Sequence, residues 1–141
     1  MRFWWTPCLC FFFVACRGAH LAGSDDQAKW QGTWKLAAST VNGEPQMAQM
    51  RWVVFADHYS VLDQPALEYH TFKLDPRNRR VDEFHQDTAK GTSGGHSKGI
   101  YKVSANTLIV CFDPAARQYP KSFAAEAGSH RVLYRFEREH H

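Results

Sequence analysis

Short segments with alternating apolar and polar residues recur through most of the chain, and almost no segment shows a helical period. A period of two is typical of strands that bury one face. Eight segments show it, and the first is opened by Gly32-Thr33-Trp34. The other seven span residues 51–55, 58–62, 69–74, 80–85, 99–103, 107–112 and 131–138. The sequence therefore predicts an all-β protein.

Turn-forming residues separate these segments and set the length of each connection. Asn42-Gly43 favours positive φ, and Ala56-Asp57 leaves room only for a tight hairpin. Asp75-Pro76-Arg77-Asn78 predicts another turn. Residues 88–98 are rich in glycine, serine and threonine, which predicts a loop. Most connections are short, so neighbouring strands are expected to pair antiparallel.

Eight antiparallel strands with short connections favour an up-and-down β-barrel, because closure removes the two exposed edges of an open sheet. A two-sheet sandwich is the alternative, but its crossovers need longer connections than most of those present. Before the first strand, 25–31 predicts a short helical turn, with Ser24 or Asp25 as its cap and Trp30 as its apolar anchor. Such a turn would plug one end of the barrel.

The first and last strands of a closed barrel run antiparallel, so the start of one lies beside the end of the other. This places Trp34 near Arg138, which shares strand parity with Val132, Tyr134 and Phe136. A guanidinium over an indole contributes about 0.5 to 2 kcal/mol. Arg135 has outward parity. The pair predicts a structural staple at a closed barrel end.

The same parity argument gives a set of interior residues. The predicted interior is Trp34, Leu36, Ala38, Val53, Phe55, Tyr59, Val61, Phe72, Leu74, Tyr101, Val103, Leu108, Val110, Phe112, Tyr134 and Phe136. An eight-stranded barrel is large enough either to fill itself with side chains or to hold one small ligand. The ligand-binding candidates within the set are Leu36, Val53, Phe55, Tyr59, Phe72, Tyr101, Val103, Leu108, Val110, Tyr134 and Phe136.

Residues 1–23 read as an export signal, because Arg2 precedes an apolar stretch that is too short to span a bilayer. Phe13-Val14-Ala15-Cys16 resembles a lipobox, in which Cys16 would be lipidated and become the new N-terminus. The competing cleavage site follows Ala22 or Gly23. Residues 24–141 then form one domain, exported to the periplasm or cell envelope, with a membrane tether if Cys16 is lipidated.

Charge and cysteine content exclude several classes of protein. Removal of Arg2 and Arg17 with the signal leaves 15 of the 17 basic residues and all 14 acidic ones, so the net charge of the domain is about +1. One basic cluster, 77–80, lies in a turn, and a nucleic-acid-binding protein would need an extended basic face. Cys111 is the one cysteine within the domain, so no internal disulfide can form.

The candidate catalytic and metal motifs of the chain lack the surroundings that such sites need. Residues 91–95 match G-x-S-x-G, with Asp87 and His96 nearby, but a nucleophile elbow needs a strand before the serine and a helix after it. We therefore predict no enzyme activity. Seven histidines follow the signal without zinc spacing, and surface positions are expected for them. Glu83 and His85 share one strand face and are the best nucleus for a metal site, but alone they predict no metal or cofactor.

Three blocks of sequence carry a family resemblance: 30–36 with Val41-Asn42-Gly43, 71–76, and 99–112 with Pro120 and Phe123. In order, spacing and turn residues the chain resembles the lipocalin-like domain of small exported planctomycete proteins, over nearly all of the sequence after Asp26. The resemblance implies a barrel fold and an exported location. It implies no enzyme activity, cofactor or particular ligand.

Two classes of function follow. The first is a binding protein that holds a small apolar molecule inside the barrel. The second is a structural or interaction protein of the cell envelope, with a packed barrel and an outer face or loop, such as 113–129, that contacts a partner. A cavity lined by apolar side chains would favour the first class, and a solid interior the second.

Overall fold

The structure is a computed structural model that describes the backbone of residues 22–87 and 92–141, and the side chains of 25–86 and 94–141. Cys16 and the rest of the predicted lipobox lie outside the described residues. The elements are α1 (Ala22–Trp30), β1 (Gly32–Val41), β2 (Glu44–Gln46), β3 (Arg51–Phe55), β4 (His58–Leu62), β5 (Glu68–Asp75), β6 (Arg80–Asp87), β7 (Thr92–Val103), β8 (Thr107–Asp113) and β9 (Val132–Arg138).

Strands β1 and β3 to β9 form a closed antiparallel barrel of eight strands, as the alternation predicts. Pairing between β1 and β9 closes it, with Trp34 opposite Arg138 and Val41 opposite Val132. The short strand β2 is an addition to the predicted eight and pairs with the end of β1. Asn42 and Gly43 connect β1 to β2 with φ values of 49° and 85°, which confirms the predicted turn.

Helix α1 covers one end of the barrel, and its last residue is the plug. The Trp30 side chain is fully buried, stacks on Phe72 at 4.9 Å and meets Tyr101 edge-on at 5.4 Å. Asp26 ties the helix to the barrel, because its Oδ2 accepts hydrogen bonds from the Tyr101 hydroxyl at 2.7 Å and from Arg79 at 3.1 Å. The plug is thus held by both packing and hydrogen bonds.

The helix is longer than the sequence predicts. It begins at Ala22, so Ser24 and Asp25 lie within it and do not cap it, and Gln31 follows it. The Gln31 side chain bonds both backbone groups of Ala56 in the β3–β4 hairpin, at 2.7 and 3.0 Å. In the part of the chain that the structure describes, no helix is long and apolar enough to cross a membrane.

Trp34 and Arg138 form the predicted staple. The Arg138 Cζ atom lies 4.2 Å from the centre of the Trp34 ring, and the Trp34 Nε1 donates to the Trp30 carbonyl at 2.8 Å. Arg138 also donates to the carbonyls of Lys29 and Gln31, each at 2.6 Å. A cation at these carbonyls suits the negative end of the helix dipole. The pair therefore links the barrel closure to the plug.

Two predicted interior residues on β3, Val53 and Phe55, face outward. Val53 is 36% exposed and Phe55 is 71% exposed, whereas Trp52 and Val54 are buried. Both parities of this strand carry two apolar residues, so alternation alone does not choose between them. Arg51, which shares parity with Val53 and Phe55, requires a solvated face and decides the orientation.

Ala38 is also exposed, contrary to the predicted interior set. The register between β1 and β9 shifts between Leu36 and Ala38, so a β-bulge reverses the parity of the strand. Ser39 takes the inward position and is buried. The other predicted interior residues lie in the core or pack against it at its partly buried edge, as Leu36, Leu74 and Tyr134 do.

Residues 92–98 form the first half of β7, although their composition predicts a loop. They pair with β6, Asp87 opposite Thr92 and Glu83 opposite Ser97. Cross-strand pairing therefore overrides the low β propensity of the glycines. The loop prediction is therefore wrong for 92–98, and its first part, 88–91, lies outside the described residues.

The long connection from β8 to β9, residues 114–131, is fixed at its start by Asp113. This buried carboxylate accepts two hydrogen bonds from Arg117, both at 3.2 Å, and one from the Ala115 amide at 3.1 Å. Burial alone would raise the pKa of Asp113, but the Arg117 guanidinium and the Ala115 amide outweigh burial and hold the pKa below its usual value.

We expect Asp113→Asn to lower the free energy of unfolding by about 1 to 3 kcal/mol near neutral pH, because it weakens a buried charge-assisted network. The folded pKa lies below that of the unfolded chain. The stabilisation is therefore complete above the unfolded pKa of about 3.9 and is lost as the pH falls through the folded value. Urea unfolding at several pH values checks this. A cost that stays the same down to about pH 2 would contradict the linkage.

Candidate ligand-binding site at the open end

The barrel end opposite α1 is open and contains a cavity of about 120 Å³. Its apolar wall includes Trp52, Tyr59, Phe112 and Tyr134. A wider depression of about 590 Å³ lies outside it, and the two share Glu68, His85, Ser97 and Pro114. The depression therefore gives access to the cavity from solvent. The interior is solid at the plugged end and hollow at the open end.

Four ionisable side chains meet in this cavity because adjacent strands place them on the same inner face. Glu68 and His70 share the parity of buried Phe72 on β5, and Glu83 and His85 share the parity of buried Val81 on β6. His70 and His85 are direct cross-strand partners. Such partners have neighbouring side chains, so the register itself builds the cluster.

The cluster is connected by short polar contacts. The Tyr59 hydroxyl donates to Glu83 Oε2 at 2.5 Å, and the other oxygen, Oε1, lies 3.3 Å from His70 Nδ1 and 3.5 Å from His85 Nε2. His70 Nε2 lies 3.3 Å from Glu68 Oε2. The His70 ring stacks on Tyr59 at 4.8 Å, almost parallel. Tyr59 therefore covers one face of His70, and a carboxylate oxygen lies near each of its ring nitrogens.

The four groups differ in exposure. The side chains of His70 and Glu83 are 4% and 7% exposed, whereas those of His85 and Glu68 are 46% and 51% exposed. The buried pair forms the floor of the site, and the exposed pair forms its rim. One oxygen of Glu68 and one nitrogen each of His70 and His85 lie within 4.8 Å of one another, so these three could hold a metal ion.

The electrostatics of the cluster favour charge on His70. Burial alone would lower the pKa of His70, but the carboxylates of Glu83 and Glu68 outweigh it and raise the pKa. The pKa of His85 is lowered, by partial burial first and by His70 second. Burial and the charge of Glu83 raise the pKa of Tyr59 well above its ordinary value, so Tyr59 stays a hydrogen-bond donor.

A β-bulge opposite His85 shapes the rim. The pairing of β6 with β7 shifts between Phe84 and Gln86, so Gly94 and Gly95 together oppose His85. A Cβ atom on Gly94 would lie 3.2 Å from the His85 Cβ, a tight contact. Gly94, one of the glycines that suggested a loop, therefore lets β7 pass close to His85.

The predicted ligand-binding residues divide into three groups. Tyr59 and Tyr134 line the cavity. Val53 and Phe55 lie on the outer face. The remaining candidates do not line the described cavity wall; they are Leu36, Phe72, Tyr101, Val103, Leu108, Val110 and Phe136.

Sequence reasoning found half of the polar cluster. Glu83 and His85 share one strand face, as predicted, and that face points inward. Alternation along β6 alone does not connect them with Glu68 and His70. His70 is buried, so the expectation of a surface position is wrong for it. The available signal was parity, because His70 stands two residues before Phe72 on the same strand.

The G-x-S-x-G match of residues 91–95 falls partly outside the described residues, which exclude Gly91 and the side chain of Ser93. Thr92 onward is a strand. Cys111 is buried on β8, and burial raises the pKa of its thiol, so it packs as a small apolar residue.

A second concave surface lies on the outside of the barrel, between β7 and the 114–131 connection. This groove has a volume of about 870 Å³ and includes Phe123, which is 41% exposed. Tyr119 also lines the groove, and the centre of its ring lies 4.5 Å from Arg80 Cζ and 5.4 Å from Lys98 Nζ. The groove carries cations and aromatic rings, but no cluster of buried ionisable groups among its described residues.

No protein-family model, curated protein or solved structure matches this chain. A function must therefore be inferred from the barrel and from the cavity at its open end.

Proposed function

We propose that this protein is a lipocalin-like binding protein that holds a small ligand in the open end of its barrel. The cavity of about 120 Å³ behind Glu68 and His85 carries the proposal. A cavity lined by aromatic rings with a few convergent polar groups is the usual form of a small-molecule site.

The size of the cavity limits the ligand. Ligand pockets for drug-sized molecules measure about 300 to 1,000 Å³, and an engineered cavity of about 150 Å³ holds benzene. A cavity of about 120 Å³ thus suits a molecule slightly smaller than benzene, or part of a larger one that extends into the outer depression. The aromatic wall suits an apolar portion, and the four ionisable groups suit a polar or charged end.

Export and anchoring belong to the same proposal. The apolar stretch after Arg2 and the Phe13-Val14-Ala15-Cys16 motif support a protein of the periplasm or cell envelope that is tethered through Cys16. The mass of the protein isolated from its own host tests the tether. A lipid on Cys16 is expected, and an unmodified N-terminus at Gly23 or Ser24 would contradict it.

A cavity-filling variant tests the binding proposal. Val132 lines the cavity and shares the inner face of β9 with Tyr134. We expect native mass spectrometry of protein isolated from its host to find a small molecule or ion bound to the wild type. Because a phenyl ring would occupy much of the cavity, Val132→Phe should carry much less of it.

Val53→Phe is the matched control, because it makes the same change on the outer face of the barrel. It should leave the amount of bound ligand unchanged. Wild-type protein without any bound species, or equal loss in both variants, would contradict a site in the cavity.

An interaction role is the second candidate, and the outer groove favours it. The groove exposes Phe123 and is bordered by the 114–131 connection, which includes most of the segment 113–129 that the sequence offers as a contact surface. A photo-crosslinking residue at position 123 in the native host tests this role. A specific protein adduct would support it, and the absence of any adduct would count against it.

A further inference from the structure

The polar floor and rim of the cavity have the composition of a metal site. We propose that Glu68, His70 and His85 bind one divalent transition-metal ion, with Glu83 as a positioning residue. This inference rests on the proposed function, since it names the class of ligand that the open end holds.

The distances suit such an ion. Metal ligands at about 2.0 to 2.2 Å in a tetrahedral arrangement lie about 3.4 Å from one another. His70 Nε2 and Glu68 Oε2 are already 3.3 Å apart, and all three ligand atoms lie within 4.8 Å of one another. Closing the site requires a small rotation of side chains at the rim, where Glu68 and His85 are half exposed.

Glu83 lies beside the ring nitrogen of His70 that would not bind the metal, where a small adjustment would let it orient the ring. A histidine that binds a metal through one ring nitrogen usually directs the other to a carboxylate. His70 Nε2 faces Glu68, and His70 Nδ1 faces Glu83 Oε1 at 3.3 Å. Tyr59 fixes Glu83 in turn with a hydrogen bond of 2.5 Å. The register of β4, β5 and β6 thus supplies a ligand, its orienting carboxylate and the support of that carboxylate.

Two buried groups in this arrangement lack a full partner. His70 Nδ1 has no partner with hydrogen-bond geometry among the described residues, although it is buried. Glu83 is buried, and no lysine or arginine of the described residues forms an ion pair with it. Without a metal, only the charge that the cluster favours on His70 balances this buried carboxylate, and that charge is lost when His70 binds a metal as a neutral ligand. A divalent ion beside neutral histidines would balance the charges of Glu83 and Glu68.

The donor set selects the kind of ion. Two imidazoles and one carboxylate suit zinc, cobalt, nickel or iron, whereas Ca²⁺ and Mg²⁺ prefer six or more oxygen ligands. Three protein ligands also leave coordination positions open. Because the cluster lies on the cavity wall, these positions would be reachable by a small molecule in the cavity.

Titration of the purified protein with Co²⁺, followed by its visible absorption, tests the proposal. The test uses a parent in which His140 and His141 are both replaced by Ala, since the exposed terminal pair would also bind metal. We expect one Co²⁺ per chain, a spectrum of low coordination number and displacement by Zn²⁺. His85→Ala and Glu68→Gln should each weaken binding at least about 100-fold, and Glu83→Gln about 10- to 100-fold.

His96→Ala is the matched control, because His96 is also half exposed and also contacts a carboxylate, Asp82, at 2.8 Å. It should leave Co²⁺ affinity unchanged. Urea unfolding of each variant reports whether it is folded. The variants at Glu68 and His85 should remain folded, because these half-exposed side chains contribute little to the core. Glu83→Gln should also alter the Co²⁺ spectrum through the orientation of His70, which a merely structural role would not do.

Absence of Co²⁺ binding by the parent, or unchanged affinity in His85→Ala, would overturn the metal site. In that case His70 and the two carboxylates would form a structural acid–base network. A bound small molecule that Val132→Phe still reduces would then leave the cavity function intact, so the two proposals can fail separately.

Discussion

Trp34→Ala should lower the free energy of unfolding by about 3 to 5 kcal/mol, as large-to-small changes of buried aromatic residues do. Trp34 is fully buried and packs against Arg138, which also holds the end of α1. Its removal leaves a cavity and takes the ring from a cation that closes the barrel. Urea unfolding should show a lower midpoint with an unchanged slope.

Phe55→Ala is the control for this prediction, because it removes an aromatic ring from the same barrel at a position that is 71% exposed. A surface change of this kind is expected to alter stability by no more than about 0.5 kcal/mol. Equal effects of Trp34→Ala and Phe55→Ala would contradict the staple and the inward and outward faces described above.

Trp30→Ala should lower the free energy of unfolding by a similar amount, about 3 to 5 kcal/mol, because Trp30 is the part of α1 that enters the barrel. The ring is fully buried between Phe72 and Tyr101. Without it, α1 is held mainly by hydrogen bonds, those of Asp26 and those that Arg138 and Trp34 donate to its last carbonyls. Hydrogen exchange should therefore become faster in α1 and in the strands below it, in addition to the lower global stability.

Lys29→Ala is the control, because it changes an exposed side chain of α1 and leaves the buried Trp30 ring in place. Lys29 pairs with Asp25 one turn away, at 2.7 Å, on the solvated side of α1. Exposed pairs of this kind contribute about 0.3 to 0.5 kcal/mol. If Lys29→Ala released the helix as fully as Trp30→Ala, packing of the indole would not be what holds the plug.

The barrel was predictable because its closure depends on local patterns that repeat. Alternation gives the strands, and Asn42-Gly43 gives a turn whose two residues both adopt positive φ. The position of Trp34 beside Arg138 follows from closure alone, since the first and last strands must pair. Each of these features needs only the strand period and the chain order.

The error on β3 was avoidable, because Arg51 stands on that strand and its need for a solvated face decides between two equally apolar faces. Two other errors have a common physical origin, which is that pairing partners change the parity or the state of a segment. A bulge after Leu36 turns Ala38 outward, and partners on β6 make a strand of residues 92–98. Such effects depend on a neighbouring strand, so the segment's own residues do not reveal them.

The candidate site was half visible for the same reason. Glu83 and His85 stand on one strand, so their shared face could be read directly. Glu68 and His70 stand on β5, and only the register that places His70 opposite His85 brings the pairs together. A metal site of this kind has no sequence spacing to recognise, because its ligands come from adjacent strands rather than from one turn.

The central claim is that the open end of the barrel binds a metal ion between Glu68, His70 and His85. A crystal structure grown with Zn²⁺ and measured at the zinc absorption edge tests it most directly. We expect an anomalous peak in the open end at about 2.0 to 2.2 Å from His70 Nε2, a nitrogen of His85 and an oxygen of Glu68. The barrel behind it should be closed by Trp30 and Trp34. Zinc bound elsewhere on the chain, with none between Glu68, His70 and His85, would contradict the claim.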